Sequence, residues 1–117
     1  MTTSKKHTYK LFFLPQALTE WKALDGSVKE NIKKLLAKRL DNPHTPVGEL
    51  HGELKGCYKI KLNKQGVRLV YAVEDDKLIV MVMSVDKRED SIVYKSAVTR
   101  MTEKAATLAK ITKDESS

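Results

Sequence analysis

Residues 57–74, CYKIKLNKQGVRLVYAVE, place an alternating run and a largely apolar, β-branched-rich run on either side of a short polar break. A period of two predicts strands over Cys57–Leu62 and Val67–Glu74, joined by a turn around Lys64–Gln65. A turn centred there sets Leu62 opposite Val67, Ile60 opposite Leu69 and Tyr58 opposite Tyr71, and these apolar pairs mark one face as core. On the other face Lys61 lies directly across from Arg68, with Lys59 two residues along the same strand. Like charges held opposite one another destabilise a sheet. The rest of that face, Val70, Ala72, Met81 and Met83, is apolar, so the cations stand at one end of what reads as a groove.

Working outward, a third strand is expected over Lys77–Val85 after a turn at Asp75–Asp76. Upstream, Tyr9–Leu14 (YKLFFL) predicts a first strand, and Pro15 suits the first turn of a helix because its missing N–H is not needed there. Ala17, Leu18, Trp21 and Leu24 recur at helical spacing up to Asp25–Gly26. Ser27 and Glu30 match an S-x-x-E capping box opening a second helix through Val28, Ile32, Leu35, Leu36 and Leu40, stopped by Asn42–Pro43. Residues 42–56 read as a loop with a short strand near Glu49–His51. A last helix, roughly Ser91–Lys110, begins near Asp90 or Ser91 and uses Val93, Ala97, Met101, Ala105 and Leu108. The order is β-α-α-β-β-β-α, an α+β fold with a mainly antiparallel sheet, two N-terminal helices on one face and a C-terminal helix. One domain is expected over residues 1–110, with a disordered tail at 111–117.

The chain of 117 residues is 41% hydrophobic and 32% charged, which describes a globular protein rather than a disordered one. No apolar run reaches the length of a membrane span, and the N-terminus lacks the apolar core of a signal peptide, so a cytoplasmic location is expected. A single cysteine, Cys57, forms no internal disulfide, and with three scattered histidines there is no metal-ligand spacing. No metal and no cofactor are expected. The formal net charge of +7 points to an anionic partner. Cations gathered on a rigid sheet face are costly unless an anion sits among them, and a phosphate backbone is the most economical candidate.

Two further residues belong to this neighbourhood in the sequence. In VDKREDSIVY (85–94), Arg88 and Tyr94 stand where the last strand gives way to the last helix. Strict alternation through Val85 sends Lys87, not Arg88, to the cationic face; a turn or bulge after Val85 would be needed to change that. Tyr94 reads equally well as a half-buried packing aromatic.

The segments ALTEWKAL, DNPH, CYKIKL, GVRLVY and VDKRED-S-VY, in this order and spacing, resemble the RelE family of the RelE/ParE toxin superfamily over about residues 8–101. The resemblance implies the toxin half of a type II toxin–antitoxin pair. It implies a metal-independent, ribosome-dependent endoribonuclease (mRNA interferase) that cleaves mRNA in the ribosomal A site and stops translation and growth. It assigns the catalytic positions to Lys59, Lys61, Arg68, Arg88 and Tyr94. RNA or ribosome contacts are expected from the rim residues His51, Lys55, Lys64 and Lys87. A RelB-like acidic antitoxin is the implied partner, beside the ribosome and mRNA, with operator DNA reached through the toxin–antitoxin complex. Two positions depart from the family pattern: His51 stands where a basic residue is common, and Asp90 where an arginine or similar residue is common. Both lower the positive charge at the groove rim.

Such a site would use the ribose 2′-hydroxyl as nucleophile, with a base at that hydroxyl, cations on the phosphorane and an acid at the 5′-oxygen. Lys61, crowded by Arg68 and Lys59, is the best candidate base. Arg68 and Lys59 would hold the phosphate oxygens, Arg88 the leaving oxygen, and Tyr94 a base or the phosphate. Two other readings share the fold: a ParE-like toxin acting on DNA gyrase without RNA chemistry, and a basic nucleic-acid-binding corepressor.

Overall fold

The computed structural model describes residues 8–87 and 90–116, the side chains of 112–116 excepted. Strand β1 (Lys10–Phe13) is followed by helices α1 (Pro15–Lys22) and α2 (Gly26–Asp41). Two single 3-10 turns, Pro46–Gly48 and Gly52–Leu54, occupy the loop. Strands β2 (Cys57–Leu62), β3 (Val67–Glu74) and β4 (Ile79–Asp86) come next, then helices α3 (Asp90–Thr99) and α4 (Met101–Ser116). The sheet order is β1-β4-β3-β2, with β1 parallel to β4 and the other pairs antiparallel.

The β2–β3 register is the expected one: Leu62 pairs with Val67, Ile60 with Leu69, Tyr58 with Tyr71 and Lys61 with Arg68. The tyrosine face packs on α1 and α2. There Phe13 meets Trp21 at 5.5 Å between ring centroids, and Arg39 of α2 donates to the Tyr71 hydroxyl at 2.8 Å. Tyr71 in turn donates to the Pro43 carbonyl at 2.8 Å, which anchors the chain as it leaves α2. His44 continues that anchor, its Nδ1 lying 2.8 Å from the Tyr58 hydroxyl and its Nε2 2.7 Å from Asp75.

The second face is not an open groove. Val70, Ala72 and Met81 are fully buried, and α3 lies over this face with Val93 and Ala97 in the core. Apolar surface of that size is more stable covered, and the last helix supplies the cover. At the cationic end of the face Lys59 and Lys61 remain in contact with solvent.

A bulge in β4 changes which residues share that face. Val70 pairs with Ser84 and Tyr71 with Val82, so Met83 has no partner on β3. Downstream of this extra residue the alternation reverses. Ser84, not Met83, stands in the row with Lys59 and Val70, and Asp86, not Val85, stands in the row with Lys61 and Arg68. Beyond Val82, where the pairing with β1 ends, one ion pair meets two backbone groups of β4. Arg100 donates to the Met83 carbonyl at 2.9 Å and to both carboxylate oxygens of Glu20 at 2.8 and 3.0 Å. Glu20 also accepts from the Val85 amide at 3.0 Å.

Other boundaries differ from the sequence reading. Helix α2 starts at Gly26 with Asp25 as its N-cap, so Ser27 and Glu30 lie inside the helix and form no capping box. Asp25 is extended and its carbonyl accepts the first intrahelical bond, from the Lys29 amide at 3.0 Å, with no capping bond from its side chain. The single C-terminal helix is two, broken at Arg100, whose amide is shared between the Ser96 and Ala97 carbonyls. The backbone stays helical to Ser116, through most of the stretch expected to form a tail. The Glu49–His51 strand is a lone bridge from Glu49 to Tyr58. Strand β4 begins at Ile79 rather than Lys77, because Asp75–Leu78 form a four-residue turn with Leu78 at φ 54°.

Arg100→Ala should lower stability by about 2–3 kcal/mol, since it strands a partly buried carboxylate and a backbone carbonyl. Arg100→Lys should recover less than half of that, because an ammonium cannot span the carboxylate and the carbonyl together. Urea unfolding of the two variants measures both.

Candidate phosphate-binding site

Strands β2 and β3 hold the first three cations. Lys59, Lys61 and Arg68 lie on one face, with Lys61 and Arg68 directly paired. Two glycines make this possible. Gly66 adopts φ 66° in the hairpin turn, a conformation that side chains disfavour, and its carbonyl accepts from Arg68 Nη1 at 2.8 Å. Gly48 packs so closely under β2 that a Cβ there would stand 2.5 Å from the Lys59 carbonyl.

Helix α3 delivers the remaining groups. Ser84 donates to the Val93 carbonyl at 2.7 Å, which fixes the helix over the sheet. Asp90 and Tyr94 then fall one turn apart on the same side of α3. The Lys59 ammonium lies 5.9 Å from the centroid of the half-buried Tyr94 ring, within cation–π range.

Asp90 is not on the rim. Its Oδ1 accepts from Arg68 Nε at 2.5 Å and its Oδ2 lies 3.9 Å from Lys59 Nζ, so one carboxylate spans two of the three cations. Partial burial raises the Asp90 pKa, but the Arg68 hydrogen bond and the charges of Lys61 and Lys59 outweigh it and hold the carboxyl below its ordinary value. On the neighbouring strand Asp86 pairs in register with Arg68. The like-charge cluster therefore carries its own counterions. Lys61 was singled out as base because Arg68 and Lys59 crowd it, and the Asp90 carboxylate offsets part of that repulsion.

The other residues singled out in the sequence scatter more widely. Arg88 lies outside the described residues. The parity objection to it rested on unbroken alternation through Val85, and the Met83 bulge removes that premise upstream of Val85 rather than after it. Lys64 shares with Lys61 a surface depression of about 430 Å³ that also includes Asn31 and Gln65. Lys87 instead borders a depression of about 340 Å³ with Glu20, Ala23 and Leu24, on the α1 side. His51 and Lys55 are exposed before β2, at the end of the strand away from Lys61. Cys57 is no nucleophile: burial pushes its thiol up to about 11. Asp86 and Asp90 were missed as site residues. The i, i+4 spacing of Asp90 and Tyr94 on a helix starting at Asp90 was the available signal.

The sequence profile described as ParE toxin of type II toxin–antitoxin system, parDE, matches residues 11–92. A "Putative RelE-like toxin protein" of Escherichia coli is 48% identical over 93 residues, covering 80% of this chain and 97% of that protein. The chain belongs to the RelE family of toxins. The "mRNA interferase toxin RelE" of Escherichia coli strain K12 is 47% identical over the same shares of each chain. Among solved structures, a mutant E. coli RelE toxin in the free state matches with a TM-score of 0.74 at 46% identity, covering 80% of this chain and 98% of that one. The same mutant in complex with an antitoxin RelBc peptide matches with a TM-score of 0.67 at the same identity and coverage. The match to the family profile ends before α4 begins.

Two measurements probe the geometry of this RelE-family site. Gly48→Ala should cost about 1–3 kcal/mol, because the added methyl meets backbone rather than a movable side chain; chemical denaturation reads this directly. The Asp90 interaction stabilises the fold above the ordinary carboxylate value of about 3.9 and is lost as pH falls through its lower folded-state value. Asp90→Asn should therefore flatten the acid limb of a plot of Tm against pH below about pH 4.

Proposed function

We propose that this chain is the toxin of a type II toxin–antitoxin system and a metal-independent, ribosome-dependent endoribonuclease that cleaves mRNA in the ribosomal A site. One observation carries the catalytic reading: Lys59, found by register, and Tyr94, found by resemblance, meet across two separate elements at 5.9 Å. The 47–48% identity to proteins named RelE supports the same reaction. A ParE-like action on gyrase would not call for this cationic set, although the matching profile carries that toxin's description.

In this mechanism Lys61 takes the proton of the ribose 2′-hydroxyl as its oxygen attacks phosphorus. Arg68 and Lys59 hold the nonbridging oxygens as negative charge builds on them. The bond to the 5′-oxygen breaks, leaving a 2′,3′-cyclic phosphate; Arg88 stabilises the leaving oxygen, which takes a proton from water to become the 5′-hydroxyl. Tyr94 stacks on a nucleobase or orients the phosphate beside Lys59. His51, Lys55, Lys64 and Lys87 contact RNA or ribosome more distantly. None of these groups is a strong acid–base catalyst near neutrality, so much of the rate comes from in-line positioning by the ribosome.

The functional unit is a single RelE-like domain over residues 1–110, working in the cytoplasm beside the ribosome. Its partner is a RelB-like antitoxin, with operator DNA reached through the complex. The complex of a 46% identical RelE toxin with an antitoxin peptide supports that partner.

Arg68→Ala should reduce cleavage of ribosome-bound mRNA by about 10²–10³-fold and abolish growth arrest, while antitoxin binding in a pull-down survives. Wild-type protein should cut free mRNA far more slowly than the same message on the ribosome. Equal rates on the two substrates would rule out the positioning account.

A further inference from the structure

We infer that Asp90 is an internal stand-in for the substrate phosphate, a carboxylate that the RNA backbone must displace before Arg68 and Lys59 can grip it. The inference rests on the reading of this face as the phosphate site. A nonbridging phosphate oxygen and a carboxylate oxygen ask the same thing of a guanidinium: a charge-assisted N–H bond. Asp90 already takes that bond from Arg68 Nε at 2.5 Å, while its second oxygen lies 3.9 Å from Lys59 Nζ. Two oxygens of one anion bridging two cations is the arrangement expected of a bound phosphate.

Three further observations fit displacement rather than a permanent bridge. The Asp90 side chain is 35% exposed against 17% for Arg68, so the carboxylate is the partner that water and an incoming anion can reach. Asp90 is the first residue of α3, not part of the sheet, so it can withdraw while the cations stay fixed. Its carboxyl is held below the ordinary range by the surrounding cations, so it remains an anion across physiological pH and competes there continuously. The residue thus sets the affinity of the site. It also protects the sheet face from its own repulsion while no RNA is bound.

The test is binding of a short single-stranded RNA carrying 2′-deoxyribose at the cleavage position, which holds the phosphate but cannot be cut. Wild type, Asp90→Asn and Asp90→Ser are titrated across a salt series; both replacements remove the charge and keep a small polar side chain in the first turn of α3. Both variants should bind about three- to tenfold more tightly, and log K against log salt should steepen by about 0.7, the value of one more phosphate contact on a single strand. Unchanged or weaker binding in both variants would overturn the inference and leave Asp90 as a residue that merely orients Arg68. Arg68→Ala in the same titration separates the two levels. If it weakens binding while the Asp90 variants fail to strengthen it, only the stand-in role is lost. If it changes nothing, the phosphate-site reading goes as well.

Discussion

The ion pair between Glu20 and Arg100 determines what the rest of this sheet can present. It ties α1 to the junction of α3 and α4 and satisfies the Met83 carbonyl and Val85 amide. With these groups met, the extra residue in β4 is retained rather than slipped into register. Everything downstream on that strand then faces the opposite way. Ser84 reaches the backbone of α3, and Asp86 faces Arg68. The position of α3 follows, and with it the delivery of Asp90 and Tyr94 to Lys59. A surface ion pair of ordinary strength would contribute little by itself. Here its effect is geometric, because side-chain parity in a strand has only two values.

The electrostatic problem of the cationic face is solved inside the chain. Lys61 opposite Arg68 is a repulsive pairing that no stability argument favours. Asp90 makes it tolerable without removing the cations from the surface. A charged site kept ready for an anion needs such an arrangement, because permanent burial of the cations would close it and bare repulsion would weaken the sheet. The carboxylates differ in freedom: Asp86 is fixed by the strand, whereas Asp90 enters from a helix end.

Much of this was legible in the sequence because it depended on local pattern. The hairpin register followed from three apolar pairs, and Lys59, Lys61 and Arg68 followed from the register. The helices α1 and α2 followed from apolar spacing, though α2 starts at Gly26 rather than after Ser27. What was not legible depended on contacts distant in sequence. The bulge at Met83 leaves no mark in a run as uniformly apolar as IVMVMSV, and its partners Glu20 and Arg100 lie 80 residues apart. For the same reason Met83 was assigned to the cationic face and the apolar floor was left uncovered. Asp90 was read as a loss of rim charge because its reach to Arg68 exists only once α3 is docked.

The central claim is that a metal-free cationic face on β2 and β3 drives attack of the ribose 2′-hydroxyl on a phosphate positioned by the ribosome. The most direct measurement is end-group analysis of mRNA cut by the purified protein on ribosomes programmed with a defined codon in the A site. The account predicts fragments ending in 2′,3′-cyclic phosphate and beginning with 5′-hydroxyl, and no cleavage when the attacking hydroxyl is replaced by hydrogen. Fragments with 5′-phosphate ends, or undiminished cutting of the 2′-deoxy message, would contradict it.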